Sequence, residues 1–257
     1  MKNINYIAEL NLPSTSAYSI HVMKMCDAFQ KKGYKIKLYT YSKKKDINLF
    51  RFYNCNKFKI IGFNFFNLNN FLIRFSFSLI IFFIFIFKDK KNIIISRSVL
   101  SAIFLSIILK KVILEIHHEL TGLSKYLFNL TMKLDFFNDM KIIYISKSLP
   151  KKFDTKKNRY IILDDAVDLD NFNLKITKKI IKKTCVYAGS FAKGKGIENI
   201  IEISKLTKNI KYHLYGDLID SNFDVNEIKK CKNIIYKGFV EYKNIPKVLK
   251  KYDVLLL

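Results

Sequence analysis

The sequence predicts an α/β fold in two units, each built on a mainly parallel sheet. Two observations predict it. Strand-like and helix-like runs alternate along the whole chain, and the alternation breaks once, in an acidic and then basic stretch, before starting afresh at Cys185. Repeated βα alternation implies parallel strands covered by helices on both faces, with ligands expected beyond the carboxyl ends of the strands.

The first unit opens on a βαβ segment. Asn5 to Ala8 ends a strand, NLPSTSAYS is a polar loop, and Ile20 to Lys32 carries Val22, Met25, Cys26 and Phe29 on a helical stripe. Gly33 is placed as the helix C-cap, and Tyr34 to Tyr41 alternates as the next strand. Further strands are expected at Ile93 to Ser96, Val112 to Ile116 and Ile142 to Ser146. Two strongly apolar runs accompany them, Phe71 to Phe87 before the first and Val99 to Leu109 between the first and second. From Phe75 the first is uncharged for only 13 residues, whereas a membrane-spanning helix needs about 20. It is therefore expected to be a buried helix, and the second a crossover helix.

The break follows at DDAVDLDNFN and KITKKIIKK, which divides the chain into residues 1–165 and 166–257. In the second unit the order reads strand (Thr184 to Ala188), helix (Ile197 to Thr207), strand (Lys211 to Tyr215), helix (Val225 to Lys230), strand (Asn233 to Tyr236), helix (Ile245 to Lys251) and strand (Val254 to Leu257).

The most informative stretch is Cys185 to Ile203, CVYAGSFAKGKGIENIIEI. An apolar strand breaks at Gly189, and Ile197, Ile200, Ile201 and Ser204 then recur at helical spacing, which puts the turn at a helix N-terminus. Free backbone N–H groups and the helix dipole favour negative charge there, and Lys193 and Lys195 add full positive charges. Capture of a phosphate or diphosphate is the chemistry implied. The spacing is neither the P-loop GxxxxGK[ST] nor the dinucleotide GxGxxG, so kinase and dehydrogenase readings lose their main support.

Composition narrows the remaining classes. Half of the 257 residues are apolar, so the chain can bury real cores. The net charge of +25 favours anionic partners, although a chain so rich in Lys, Asn, Ile and Phe also reads as the product of an AT-rich genome. The cysteines Cys26, Cys55, Cys185 and Cys231 show no CxxC and no histidine at ligand spacing, which speaks against zinc and disulfides and suits a reducing cytoplasm. MKNINYIAEL enters a strand-like run with no signal-peptide apolar region. An alternative reading is a non-catalytic basic protein bound to anionic membrane or nucleic acid, but no aromatic-basic module for RNA is present, and nucleic acid is not expected as a partner.

Taken in order, VYAGSFAKGKGIENII, YHLYGD and IIYKGFVEYKNIPKVLKKYDVLLL resemble the nucleotide-sugar-binding domain of the family 4 retaining glycosyltransferases. IILDDAVDLDNF resembles that family's hinge, and IAELNLPSTSAYSIHVMKMCDAFQKKGYKIKLYTY resembles the opening of its acceptor domain. IIYISKSL looks like the Ser-bearing strand end before the hinge. The resemblance implies the GT-B fold of two Rossmann-like domains, here with the N-terminal one complete and the C-terminal one incomplete. It implies transfer of a sugar from a nucleotide-diphosphate donor to a glycan or lipid-linked acceptor with retention of configuration. The nucleotide sugar is a co-substrate; no further cofactor and no metal are expected.

Site residues follow from the same resemblance. Lys195, with Gly196 after it, matches the lysine that contacts the donor diphosphate; the family's arginine after the first glycine is Ser190 here, a neutral hydroxyl that cannot make a guanidinium's bidentate contact. Gly189, Lys193 and Gly216 complete the diphosphate side, while Gly238, Phe239 and Val240 match the segment that contacts the base. VILEIHHEL places Glu115, His117, His118 and Glu119 at a strand's carboxyl end; His117 best matches the family histidine near the donor sugar, with His118 adjacent. Ser14, Thr15, Ser16 and Ser19 line the acceptor-side loop, which lacks the family's glycines, and His21 lies on the helix behind it. The family carries a proline-serine segment and paired glutamates after the strand matching DVLLL, so the implied donor pocket is unfinished and turnover is expected to be impaired. Polysaccharide or lipid-linked glycan assembly, in the cytoplasm or peripherally at an anionic inner membrane face, is the expected setting.

Overall fold

The structure is a computed structural model, and it describes residues 2–44, 46–65, 70–87, 92–108, 111–134, 139–153, 155–172, 182–192, 194–217 and 225–257. The chain divides into two compact units, Met1–Ala166 and Val167–Leu257.

In the first unit the elements are β1 (Asn3–Ile7), β2 (Asn11–Leu12), α1 (Ala17–Lys31), β3 (Lys35–Thr40), β4 (Ser42–Lys43), α2 (Leu49–Tyr53) and β5 (Lys59–Gly62). There follow α3 (Asn70–Ile86), β6 (Ile93–Ser96), α4 (Val99–Ile108), β7 (Val112–Ile116), α5 (Gly122–Lys133), β8 (Lys141–Tyr144) and β9 (Tyr160–Ile162). Seven of these strands form one parallel sheet in the order β5-β3-β1-β6-β7-β8-β9. The order runs outward from β1 in both directions, so the chain reverses its progress between β1 and β6, the point where ligands sit in open parallel sheets.

Side chains of successive strand residues point to opposite faces, and the core separates accordingly. Ile4, Tyr6, Ala8, Ile36 and Leu38 pack with Val22, Met23 and Cys26 of α1 and Leu49 and Tyr53 of α2. On the other face Ile7, Tyr39, Val112, Leu114 and Ile116 pack with Phe77, Ile81 and Phe85 of α3, Ala102 and Leu105 of α4, and Phe128 and Met132 of α5. Each fully buried large side chain contributes roughly 1.5–3 kcal/mol by leaving water.

Local signals set the helix ends. Ser16 caps α1 by accepting the Ser19 N–H at 3.2 Å, and Gly33 follows the helix with φ +86°. The apolar run read as a buried helix is α3, but it is buried on one side only. Phe77, Ile81 and Phe85 face the sheet, while Leu72, Phe75, Phe83 and Ile86 are exposed. Among the described residues no helix is long and apolar enough to cross a membrane.

The second unit contains α6 (Leu169–Phe172), β10 (Thr184–Ala188), α7 (Ile197–Leu206), β11 (Lys211–Tyr215), α8 (Val225–Lys230), β12 (Ile234–Gly238), α9 (Ile245–Leu249) and β13 (Val254–Leu256). The stretch read as an acidic loop thus holds a short helix, α6. Its four-stranded parallel sheet has the order β12-β11-β10-β13, the same outward progression as the first unit. Asp253 ties the first and last of these strands together, accepting from the N–H and hydroxyl of Thr184, each at 2.9 Å.

Candidate functional site

At the reversal point of the first unit the carboxyl ends of β1, β6 and β7 converge with α1. Glu115, near the end of β7, is 7% exposed. It shares strand parity with His117, so both point to the α1 side of the sheet. Glu115 Oε2 accepts the Tyr6 hydroxyl at 2.5 Å. Its Oε1 accepts from two imidazoles, His21 Nε2 at 2.9 Å and His117 Nε2. Burial pushes the Glu115 carboxyl up, but the hydrogen bonds from His117, His21 and Tyr6, with the charge of Arg97, outweigh it and hold the group well below the carboxylate range.

An ionised carboxylate only accepts, so both histidines are assigned the tautomer with a proton on Nε2. Their Nδ1 atoms face the exposed carboxylate of Asp165, 3.6 Å from His21 and 3.8 Å from His117. A neutral ring therefore presents Nδ1 as an acceptor, and a protonated one is held between two carboxylates. His21, Glu115 and His117 are also the one group of side chains, among the described residues, with ligand atoms close enough together to hold a metal ion.

A second polar set lies beside this one. Glu9, just past β1, receives Arg74 Nε of α3 at 2.6 Å, and its N–H donates to the Tyr18 hydroxyl at 3.0 Å. Arg97, the first residue after β6, lays its guanidinium over the Tyr18 ring with Cζ 4.2 Å from the centroid. His118 is exposed; partial burial and then the Arg97 charge push its imidazole below the ordinary range.

The other expected residues are placed as follows. Ser14, Thr15 and Ser16 form the loop before α1, while Ser19 is fully buried with its hydroxyl donating to the Ser14 and Ser16 carbonyls. In the second unit Gly189 follows β10, Gly196 precedes α7 with φ +78°, and the exposed Lys195 lies between them. The first intrahelical bond of α7 runs from Ile200 N–H to the Gly196 carbonyl, leaving earlier amides without an intrahelical acceptor. Glu198 occupies the first turn and partly satisfies the dipole. Gly216 packs so tightly that an added Cβ would lie 1.7 Å from the Gly189 carbonyl oxygen, and its N–H donates to the Gly238 carbonyl at 3.0 Å. The turns after β10, β11 and β12 are thereby stitched together. The Ser190 carbonyl accepts the Tyr187 hydroxyl at 2.9 Å, Phe239 is exposed and Val240 partly so. Lys193 lies outside the described residues.

Sequence reasoning named Glu115 beside His117 at the strand end but not its partners, and it did not single out Tyr6, Arg97 or Asp165 or pair His21 with His117. One signal was available: Glu115 and His117 are two apart at a strand end, which puts them on one face.

The fold defined by these units is GT-B, two Rossmann-like α/β units with parallel sheets. No protein-family model matches the chain, and no curated protein matches it in sequence. Solved structures resemble it in fold. A glycosyltransferase from Rickettsia africae superposes with a TM-score of 0.71 at 13% identity, over 99% of this chain and 72% of that one. WaaG, a glycosyltransferase involved in lipopolysaccharide biosynthesis, gives 0.62 at 13% identity over 98% and 74%. A UDP-GlcNAc 2-epimerase from Neisseria meningitidis, solved with UDP-GlcNAc bound, gives 0.57 at 10% identity over 99% and 77%.

Proposed function

We propose that the protein is a glycosyltransferase that moves a sugar from a nucleotide-diphosphate donor to a glycan or lipid-linked acceptor, with retention of configuration. The observation that carries the reading is the stitched turn set of the second unit. Backbone amides at the start of α7, with Lys195 beside them, gather at the carboxyl ends of parallel strands, where an anion is favoured. A departing nucleoside diphosphate develops negative charge, and fixed N–H groups with a lysine stabilise it. Phe239 offers an exposed ring toward a base.

In the first unit His117 is the group proposed to handle the sugar, oriented by Glu115, with His118 adjacent and the Ser14 to Ser19 loop on the acceptor side. The proposed reaction uses no metal and no further cofactor. Seating at an anionic membrane surface is proposed as its setting. The exposed apolar stripe of α3 and the net charge of +25 support that.

Calorimetric titration with UDP-, GDP- and ADP-sugars tests the reading. One donor is expected to bind, and Lys195→Ala to weaken it by roughly 10- to 100-fold, the worth of one charge-assisted hydrogen bond. Equal affinity of the two proteins for every donor would remove Lys195 from the site. Epimerisation of UDP-GlcNAc without an acceptor would replace the transferase reading.

A further inference from the structure

We infer that Arg97 receives an anionic group of the acceptor, a phosphate or a carboxylate. The inference rests on the proposed division of labour, in which the first unit handles the acceptor. Arg97 stands at the reversal point between β1 and β6, and its main-chain N–H donates to the Ile7 carbonyl at 2.9 Å, which pins the residue there. In open parallel sheets that point is where ligands sit.

The charges around Arg97 are already matched to other partners. Glu9 is held by Arg74. Glu115 accepts from Tyr6, His21 and His117. Among the described residues no carboxylate lies within ion-pair distance of the Arg97 guanidinium, and its Nη1 is enclosed without a hydrogen-bond acceptor. An unmatched enclosed donor is costly, and more so when charged, and such a group calls for an explanation of its own.

The Tyr18 ring backs the guanidinium, with Cζ 4.2 Å from its centroid. A guanidinium is a planar fork, and two anionic oxygens on its N–H edge complete it in the bidentate manner that favours arginine over lysine. Arg97 as a whole is half-buried. His118, exposed and without a hydrogen-bond partner among the described residues, is a further group available to the same anion.

The chain has four arginines, Arg51, Arg74, Arg97 and Arg159, so the arginine Nε–H region of a nitrogen-proton spectrum holds four signals, and Arg97→Lys identifies one by its loss. Inorganic phosphate, butyl phosphate and acetate are titrated into the full chain. The expected result is a saturating shift of the Arg97 signal, with the other three unmoved. Response to butyl phosphate marks a phosphate ester, and response to acetate a carboxylate. Movement by inorganic phosphate alone overturns the acceptor assignment. An unmoved Arg97 signal, or four signals drifting together without saturation, overturns the site. None of these readouts uses a nucleotide sugar, so failure here and failure of donor binding are separate results.

Discussion

His21 and His117 meet edge to face, their ring centroids 4.6 Å apart and their planes at 76°. The contact joins α1 to the end of β7, and both rings give their Nε2 protons to one carboxylate oxygen. The pair is thus organised by Glu115, and the first three predictions concern what depends on that organisation and on its counterpart in the second unit.

Glu115 makes stability depend on acid. Its folded carboxyl lies below the ordinary value of 4.5, so its contribution is complete above that value. Below 4.5 the unfolded chain binds the proton first, and the contribution is lost as pH falls. Urea midpoints of the native protein should therefore drop between about pH 5 and pH 3. Glu115→Gln should be less stable at pH 7 and show a flatter acid limb. Parallel limbs for the two proteins would mean that other carboxylates carry the dependence.

His117 and His118 should separate in turnover. His117 is oriented by a buried carboxylate, whereas His118 has no such partner among the described residues. With a donor and acceptor in hand, His117→Ala should lower kcat by about 100-fold or more, the scale of a positioned proton-transfer group. His118→Ala should lower it by less than about 10-fold on the same scale. Equal losses would show that the Glu115 contact does not choose between them.

Gly216 and Gly238 both have positive φ, +151° and +74°, but only Gly216 is crowded by backbone. Gly238→Ala should cost about 1–2 kcal/mol for the left-handed conformation alone. Gly216→Ala meets the Gly189 carbonyl as well and should cost more, together with donor binding. Thermal unfolding of both variants checks this; similar losses would place no weight on the Gly189 contact.

The two sides of α3 should differ as sharply. Phe77 is fully buried and Phe83 is 58% exposed. Phe77→Ala should cost about 3–5 kcal/mol, while Phe83→Ser should stay within about 0.5 kcal/mol and reduce cosedimentation with anionic vesicles. Unchanged cosedimentation would remove α3 from the membrane face.

Much of the fold was legible because it is written in short-range periodicity. Ile197, Ile200, Ile201 and Ser204 are the buried stripe of α7, at the spacing read from the sequence, and β6, β7, β10 and β11 have the expected ends. The short strands β5 and β9 were not read, since three or four residues hold too little alternation to stand out. For α3, periodicity was silent because both sides are apolar; only the packing tells which side the sheet covers. The site was harder still. His117 could be found from its place after a strand, but its partners Tyr6 and His21 come from other elements, and only the sheet order brings them to Glu115. Arg97 carries no motif, and its interest lies in what does not surround it.

The Glu115 cluster also has a meaning for how the chain finds its native arrangement. Its donors come from β1, α1 and the end of β7, segments that no short peptide contains together. If α1 docked one turn out of place, or β7 entered the sheet in the wrong parity, a carboxylate would be stranded in an apolar wall with its donors elsewhere, a costly state. The cluster therefore acts as a checksum on the first unit: the residues placed for chemistry are satisfied only when the strands and helix around them have been assembled in the correct register.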